Sequence, residues 1–127
     1  MTMKKSFIIT VICFAIFALL FIGCIAPTPT NCPEPDGTKI TASRGTAGTG
    51  GMIISGQAGA VEPGATVTVT DGEGNTATTT ADANGGFTLL EGDLPMDFDH
   101  TIGNTLSVTQ KSEGCNESSA VSVPISP

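Results

Sequence analysis

Ala65-Thr66-Val67-Thr68-Val69-Thr70 alternates small or branched apolar residues with threonines. A period of two puts Ala65, Val67 and Val69 on one face of an extended strand and the threonines on the other. Working outward, Asp71-Gly72-Glu73-Gly74-Asn75 reads as a turn. Alternation resumes from Asn75 to Ala81, with Ala77, Thr79 and Ala81 inward. Asp82-Ala83-Asn84-Gly85-Gly86 follows, and its Asn-Gly pair is a hairpin signal. Phe87 and Leu89 then face inward. Upstream, Glu62-Pro63-Gly64 supplies a Pro-Gly turn, and residues 38–44 and 52–58 make two earlier strands. Downstream, Leu106, Val108 and Gln110 share one face, and Val121, Val123 and Ile125 share another. Residues 93–103 lack alternation and read as a loop or crossover. Seven short strands separated by Gly, Asp, Asn and Pro predict an all-β sandwich.

The N-terminus is a different kind of chain. Lys4 and Lys5 precede an uncharged apolar run over residues 7–22, which reads as an export signal and is short for a membrane span. The run ends at Phe21-Ile22-Gly23-Cys24, which resembles the lipobox of prokaryotic lipoproteins, although Phe21 stands where Leu is commoner. The resemblance implies cleavage before Cys24 and diacylglycerol on its thiol, with no other cofactor. Two acyl chains suffice for stable anchoring where one is marginal. The expected organisation is a signal peptide over 1–23, a lipidated Pro/Thr-rich tether over 24–37 and a β-sandwich over 38–127. Residues 26–35 carry four prolines and favour extended polyproline II, giving roughly 30 Å of stand-off. Residues 45–51 are a second Gly-rich patch.

Dividing the chain at Cys24 resolves its composition. The 127 residues carry a net charge of −7 and a mean hydropathy of +0.22. Removing Lys4 and Lys5 with the leader takes the charge to −9, and the apolar excess leaves with them. So acidic a domain excludes a phosphate-neutralising nucleic-acid surface. The absence of Trp and Tyr excludes an aromatic platform for sugars. Phe87 and Phe98 are the aromatics left to build a core with small branched residues. Cys13 is lost with the leader, so Cys32 and Cys115 remain. An even pair in an exported chain is expected to form a disulfide, two free thiols being the alternative.

Three segments carry a second resemblance: I-S-G-Q-A-G-A-V-E-P-G-A-T-V-T-V-T (54–70), T-T-T-A-D-A-N-G-G-F-T-L (78–89) and G-N-T-L-S-V-T-Q-K (103–111). Together they resemble the bacterial immunoglobulin-like domains of cell-surface proteins. The resemblance implies a Greek-key, immunoglobulin-like β-sandwich serving as a spacer, stalk or adhesive module. Such domains usually occur in tandem, whereas this chain has room for one. In the loop before the last strand they commonly carry a D-x-x-G-N-x-S turn, where this chain reads S-E-G-C-N-E-S (112–118) with Cys115.

Candidate chemistry is sparse. The only histidine, His100, lies in Asp97-Phe98-Asp99-His100, where a solvated loop histidine is the ordinary reading and no nucleophile accompanies it. The chain is therefore expected not to be an enzyme. Glu91, Asp93, Asp97 and Asp99 are hard oxygen ligands in one loop and form a weak calcium candidate, but their spacing does not match an EF-hand. Asn116-Glu117-Ser118 fits a glycosylation sequon, a pattern that also arises by chance. The expected function is a membrane-anchored, non-catalytic surface or envelope module that spaces, adheres or binds protein through the edge formed by its first or last strand. The alternatives are a calcium-dependent adhesion or assembly subunit using loop 91–99, and an accessory lipoprotein, inhibitor or chaperone, of an envelope complex.

Overall fold

The computed structural model describes residues 26–45 and 50–127. The expected leader, Cys24 and residues 46–49 of the Gly-rich patch lie outside that range. Seven strands follow one another: β1 (Ile40–Arg44), β2 (Met52–Gly56), β3 (Thr66–Thr70), β4 (Thr76–Thr80), β5 (Phe87–Leu90), β6 (Thr105–Lys111) and β7 (Val121–Ser126). The described helical elements are two 3-10 turns, Gly37–Lys39 and Glu91–Asp93. No helix of the described residues is long and apolar enough to cross a membrane.

The strands form one hydrogen-bonded ladder in the order β4-β3-β6-β7-β1-β2-β5, folded into two layers. β7 makes the corner. Its residues 121–124 pair antiparallel with β6, and Ile125 and Ser126 then pair parallel with β1. Pro124 sits at the changeover; lacking an N–H, it limits further pairing with β6 and suits a strand changing layers. One layer is β1, β2 and β5; the other is β3, β4 and β6.

The inward positions are those the alternation marks. Ala42, Met52, Ile54, Val67, Val69, Leu89, Leu106, Val108, Val123 and Ile125 are all at most 2% exposed. Both expected rings are buried as well. Phe87 comes from β5, and Phe98 comes from the loop without alternation, where it closes one end of the core.

Three sequence expectations change. The Asn84-Gly85 turn does not join a hairpin, because β4 pairs with β3 while β5 pairs with β2 across the sandwich. The turn itself is closed, with Asp82 N donating to Gly86 O and Gly85 N to Asp82 O. However, Gly59 N also donates to Asn84 O and Val61 N to Gly85 O, and these bonds draw the chain toward the β2 side. The first and last strands are not edges. β1 and β7 pair with each other inside the ladder, and the free edges are β4 and β5. Finally, ordered contact with the domain begins before residue 38, as described next.

Candidate functional site

Residues 29–36 lie along the domain. Asn31 bridges Asn116 in parallel register, Cys32 N donates to Asn116 O at 2.8 Å, and Asn116 N donates to Thr30 O at 2.9 Å. The Asn116 side-chain amide donates to Pro29 O, so the sequon asparagine is engaged in this dock. Gln110, 2% exposed, clips the segment from below. Its Nε2 donates to Pro33 O at 2.7 Å, and its Oε1 accepts from Glu62 N at 2.6 Å. Cys32 and Cys115 are joined in a disulfide with Cα atoms 5.1 Å apart. The structure thus brings the expected pair to bonding distance. Glu62 lies beside the two sulfurs, but bonded sulfurs offer no thiolate to a metal.

At the opposite end, the 91–103 loop is held by the β3–β4 turn. Asp71 is buried, and its Oδ1 accepts from Glu73 N and Asn75 N at 2.9 and 2.8 Å. Its Oδ2 accepts from Asn75 Nδ2 and Asp99 N, each at 2.9 Å. Asn75 Nδ2 also donates to Asp97 O at 2.8 Å. Phe98 is thus pinned on both sides. Burial pushes the Asp71 carboxyl up, but the amide of Asn75 and the N–H groups of Asp99, Asn75 and Glu73 outweigh it and hold the group below its ordinary range. The sequence pattern marks Asp71 only as a turn residue. The signal for its larger role was an aspartate directly after the inward-facing Val69 strand.

The four calcium candidates are spread over separate partners. Glu91 Oε2 accepts from Met52 N, and its Oε1 lies 3.6 Å from His100 Nε2. Asp93 Oδ2 accepts from Leu90 N at 2.9 Å. Asp97 is engaged through its backbone carbonyl. Asp99 accepts from Asn104 Nδ2 at 2.5 Å and from Thr101 N at 2.9 Å, which lower its pKa. Among the described residues these four do not form a three-ligand cluster.

The two edges differ. Ala81 N donates to Ala65 O and Asp71 N to Asn75 O, so the backbones of Asn75, Ala77, Thr79 and Ala81 face β3. The N–H and C=O groups of Thr76, Thr78 and Thr80 therefore point away from the sheet, and no partner meets them among the described residues. On β5, Asp93 occupies Leu90 N. The outer face beside β4 is a lattice of hydroxyls. Thr76, Thr70, Ser107 and Ser122 form one rung, and Thr78, Thr68 and Thr109 the next.

A two-layer sandwich with β1 paired parallel to β7, antiparallel pairs between the other strands and alternating strand residues packed into one core defines an immunoglobulin-like domain. The family model of the bacterial Ig domain matches residues 34–126, and the chain belongs to that family. The match also begins inside the segment expected to be tether. None of the curated proteins compared with the chain matches it. Domains of this family are generally non-catalytic.

Proposed function

We propose that the chain is an exported lipoprotein, anchored through diacylated Cys24, that presents a single immunoglobulin-like domain as a non-catalytic binding or spacing module of the cell envelope. The observation that carries this reading is the Cys32–Cys115 bond, because such a bond persists in oxidising compartments outside the cytosol. Its position adds a second point of support. The bond ties the domain to the chain eight residues after the proposed lipid site, the arrangement of a module meant to stay close to its anchor. With residues 29–36 laid on the domain, the free tether spans residues 24–29 and about 15 Å in polyproline II geometry. That is half the reach the sequence suggested. Binding or spacing rather than catalysis is further supported by membership of a family whose domains are generally non-catalytic.

Mass spectrometry of the mature N-terminus tests the proposal. A diacylglyceryl or triacyl Cys24 is expected; an unmodified N-terminus beyond residue 24 would overturn it. The calcium reading separates by calorimetry. With the Glu91, Asp93 and Asp99 carboxylates each held by separate donors and no three of the loop's acidic groups converging among the described residues, saturating calcium is expected to leave Tm unchanged, and a rise of several degrees would favour the calcium-dependent subunit instead.

A further inference from the structure

The envelope-module reading leaves the partner unnamed, and the β4 edge carries that question further. We infer that β4 is a self-pairing edge, at which a second copy of this chain adds antiparallel across a two-fold axis through Thr78. The inference rests on the binding-module reading and makes that module's partner another copy of itself.

Exposed edge strands are ordinarily protected by charge, proline, a bulge or a covering loop. The segment Asn75-Thr76-Ala77-Thr78-Thr79-Thr80-Ala81 has no charge and no proline, and it keeps unbroken register with β3 from Thr76 to Thr80. Every residue that directs its backbone outward is a threonine. With Thr78 opposite Thr78 of the second copy, Thr76 faces Thr80 and Thr80 faces Thr76. Each of these pairs brings an outward N–H and C=O against their like, and a pair so placed exchanges two N–H···O bonds. Thr–Thr cross-strand pairs are favourable.

Charge points to the same occupant. The mature chain carries −9, so two copies repel over most of their surfaces. Yet the β4 face offers uncharged hydroxyls across β4 and β3, and the first charges along the rungs lie at β6, two strands in from the edge: the Glu117 carboxylate on the Thr109 hydroxyl and the cationic Lys111. Self-association is thus least opposed at the β4 edge. β5, by contrast, has Leu90 N occupied by Asp93 and leads into acidic Glu91.

A single five-residue edge buries far less than the ~1,600 Å² of an ordinary specific interface, so pairing is weak in dilute solution. Confinement to one membrane raises the effective concentration and makes the same contact populated. A continuous sheet through two anchored domains is the expected product.

Cysteine trapping in cells expressing the full chain tests this. Residues in a hydrogen-bonded antiparallel pair have Cα atoms about 5.5 Å apart, within the span of a disulfide. Thr78→Cys is therefore expected to give a disulfide-linked dimer on non-reducing gels, and Thr88→Cys on β5 is expected to give none. No dimer from Thr78→Cys, equal dimer from Thr88→Cys, or a linked band of unequal mass would overturn the inference, the last in favour of a foreign strand. Sedimentation of the detergent-solubilised chain guards against a misfolded cysteine variant. Carried to the highest protein concentrations, the unaltered protein is expected to show a concentration-dependent dimer that Thr78→Lys abolishes; identical sedimentation of the two across that range overturns the inference. The anchor is read separately by mass. An unacylated chain whose Thr78→Cys variant still dimerises removes the anchor and keeps the interface, whereas an acylated chain whose variant stays monomeric removes the interface alone.

Discussion

Asp71 concentrates more of the fold in one side chain than any other polar residue of the described chain. Four donors converge on a carboxylate that is 6% exposed and has no cation beside it. Asp71→Asn keeps the shape but puts an NH₂ group against backbone N–H donors. It is expected to cost about 1–3 kcal/mol in urea denaturation at neutral pH. The pH dependence follows from the depressed pKa. The folded value lies below the ordinary 3.8, so the stabilisation is present above that value and is lost as pH falls through the folded one. Stability profiles of the parent and Asp71→Asn proteins should therefore converge in acid. Gly85 is a second single-residue constraint. Its φ is +76°, and a Cβ there would stand 2.1 Å from Val61 O. Gly64, at φ +72°, has nothing within 4 Å. Gly64→Ala is expected to cost about 1 kcal/mol, the left-handed penalty alone, and Gly85→Ala clearly more; equal losses by thermal melts would show that the contact with Val61 is relieved without cost.

At the scale of elements, the two Asp-x-x-Gly turns teach the same lesson from opposite sides. Asp71–Asn75 and Asp82–Gly86 use one pattern, an aspartate Oδ1 accepting from the N–H groups two and four residues on. The first joins paired strands and the second joins opposite layers. Local chemistry made both legible as turns. It could not say whether the flanking strands pair, because that depends on Gly59 and Val61 capturing the second turn from another part of the chain. Strand count and inward faces were legible for a related reason: a period of two is written into each strand separately. Gln110 shows the limit. Its face was readable, but its two clips reach Glu62 and Pro33, which are 48 and 77 residues away. Gln110→Ala is expected to destabilise by about 2 kcal/mol through the buried groups left unpaired. Faster amide exchange at Glu62 and Cys32 would accompany it; unchanged exchange at Cys32 would show that the disulfide alone holds the docked segment.

For the whole molecule, the disulfide closes a loop of 83 residues around nearly the entire sandwich. In the chain-entropy model such a closure is worth about 4 kcal/mol, a large share of the 5–15 kcal/mol typical of a folded domain. The Cys32→Ser/Cys115→Ser double variant is expected to lose stability of that order while retaining the β-sheet circular dichroism signal. It should also free residues 29–36, read as protease sensitivity near Pro33. A double variant as stable as the parent would mean that the hydrogen bonds from Asn116 and Gln110 already hold the N-terminal segment.

The alternation of residues 65–70 and its counterparts was enough to establish an all-β chain, its seven strands, the buried set and the two turn aspartates, because each is a matter of neighbours in sequence. For Cys32, counting made Cys115 the expected partner and left free thiols as the alternative; the structure sets the two at bonding distance. Tertiary structure alone decided which strands lie at the edges, where the domain begins and which carboxylates meet. β1 and β7 pair only because β7 changes layers at Pro124, and that parallel contact puts the chain's first and last strands inside the ladder and β4 on its rim. Edges are a property of closure, and closure is made by contacts between residues more than eighty positions apart.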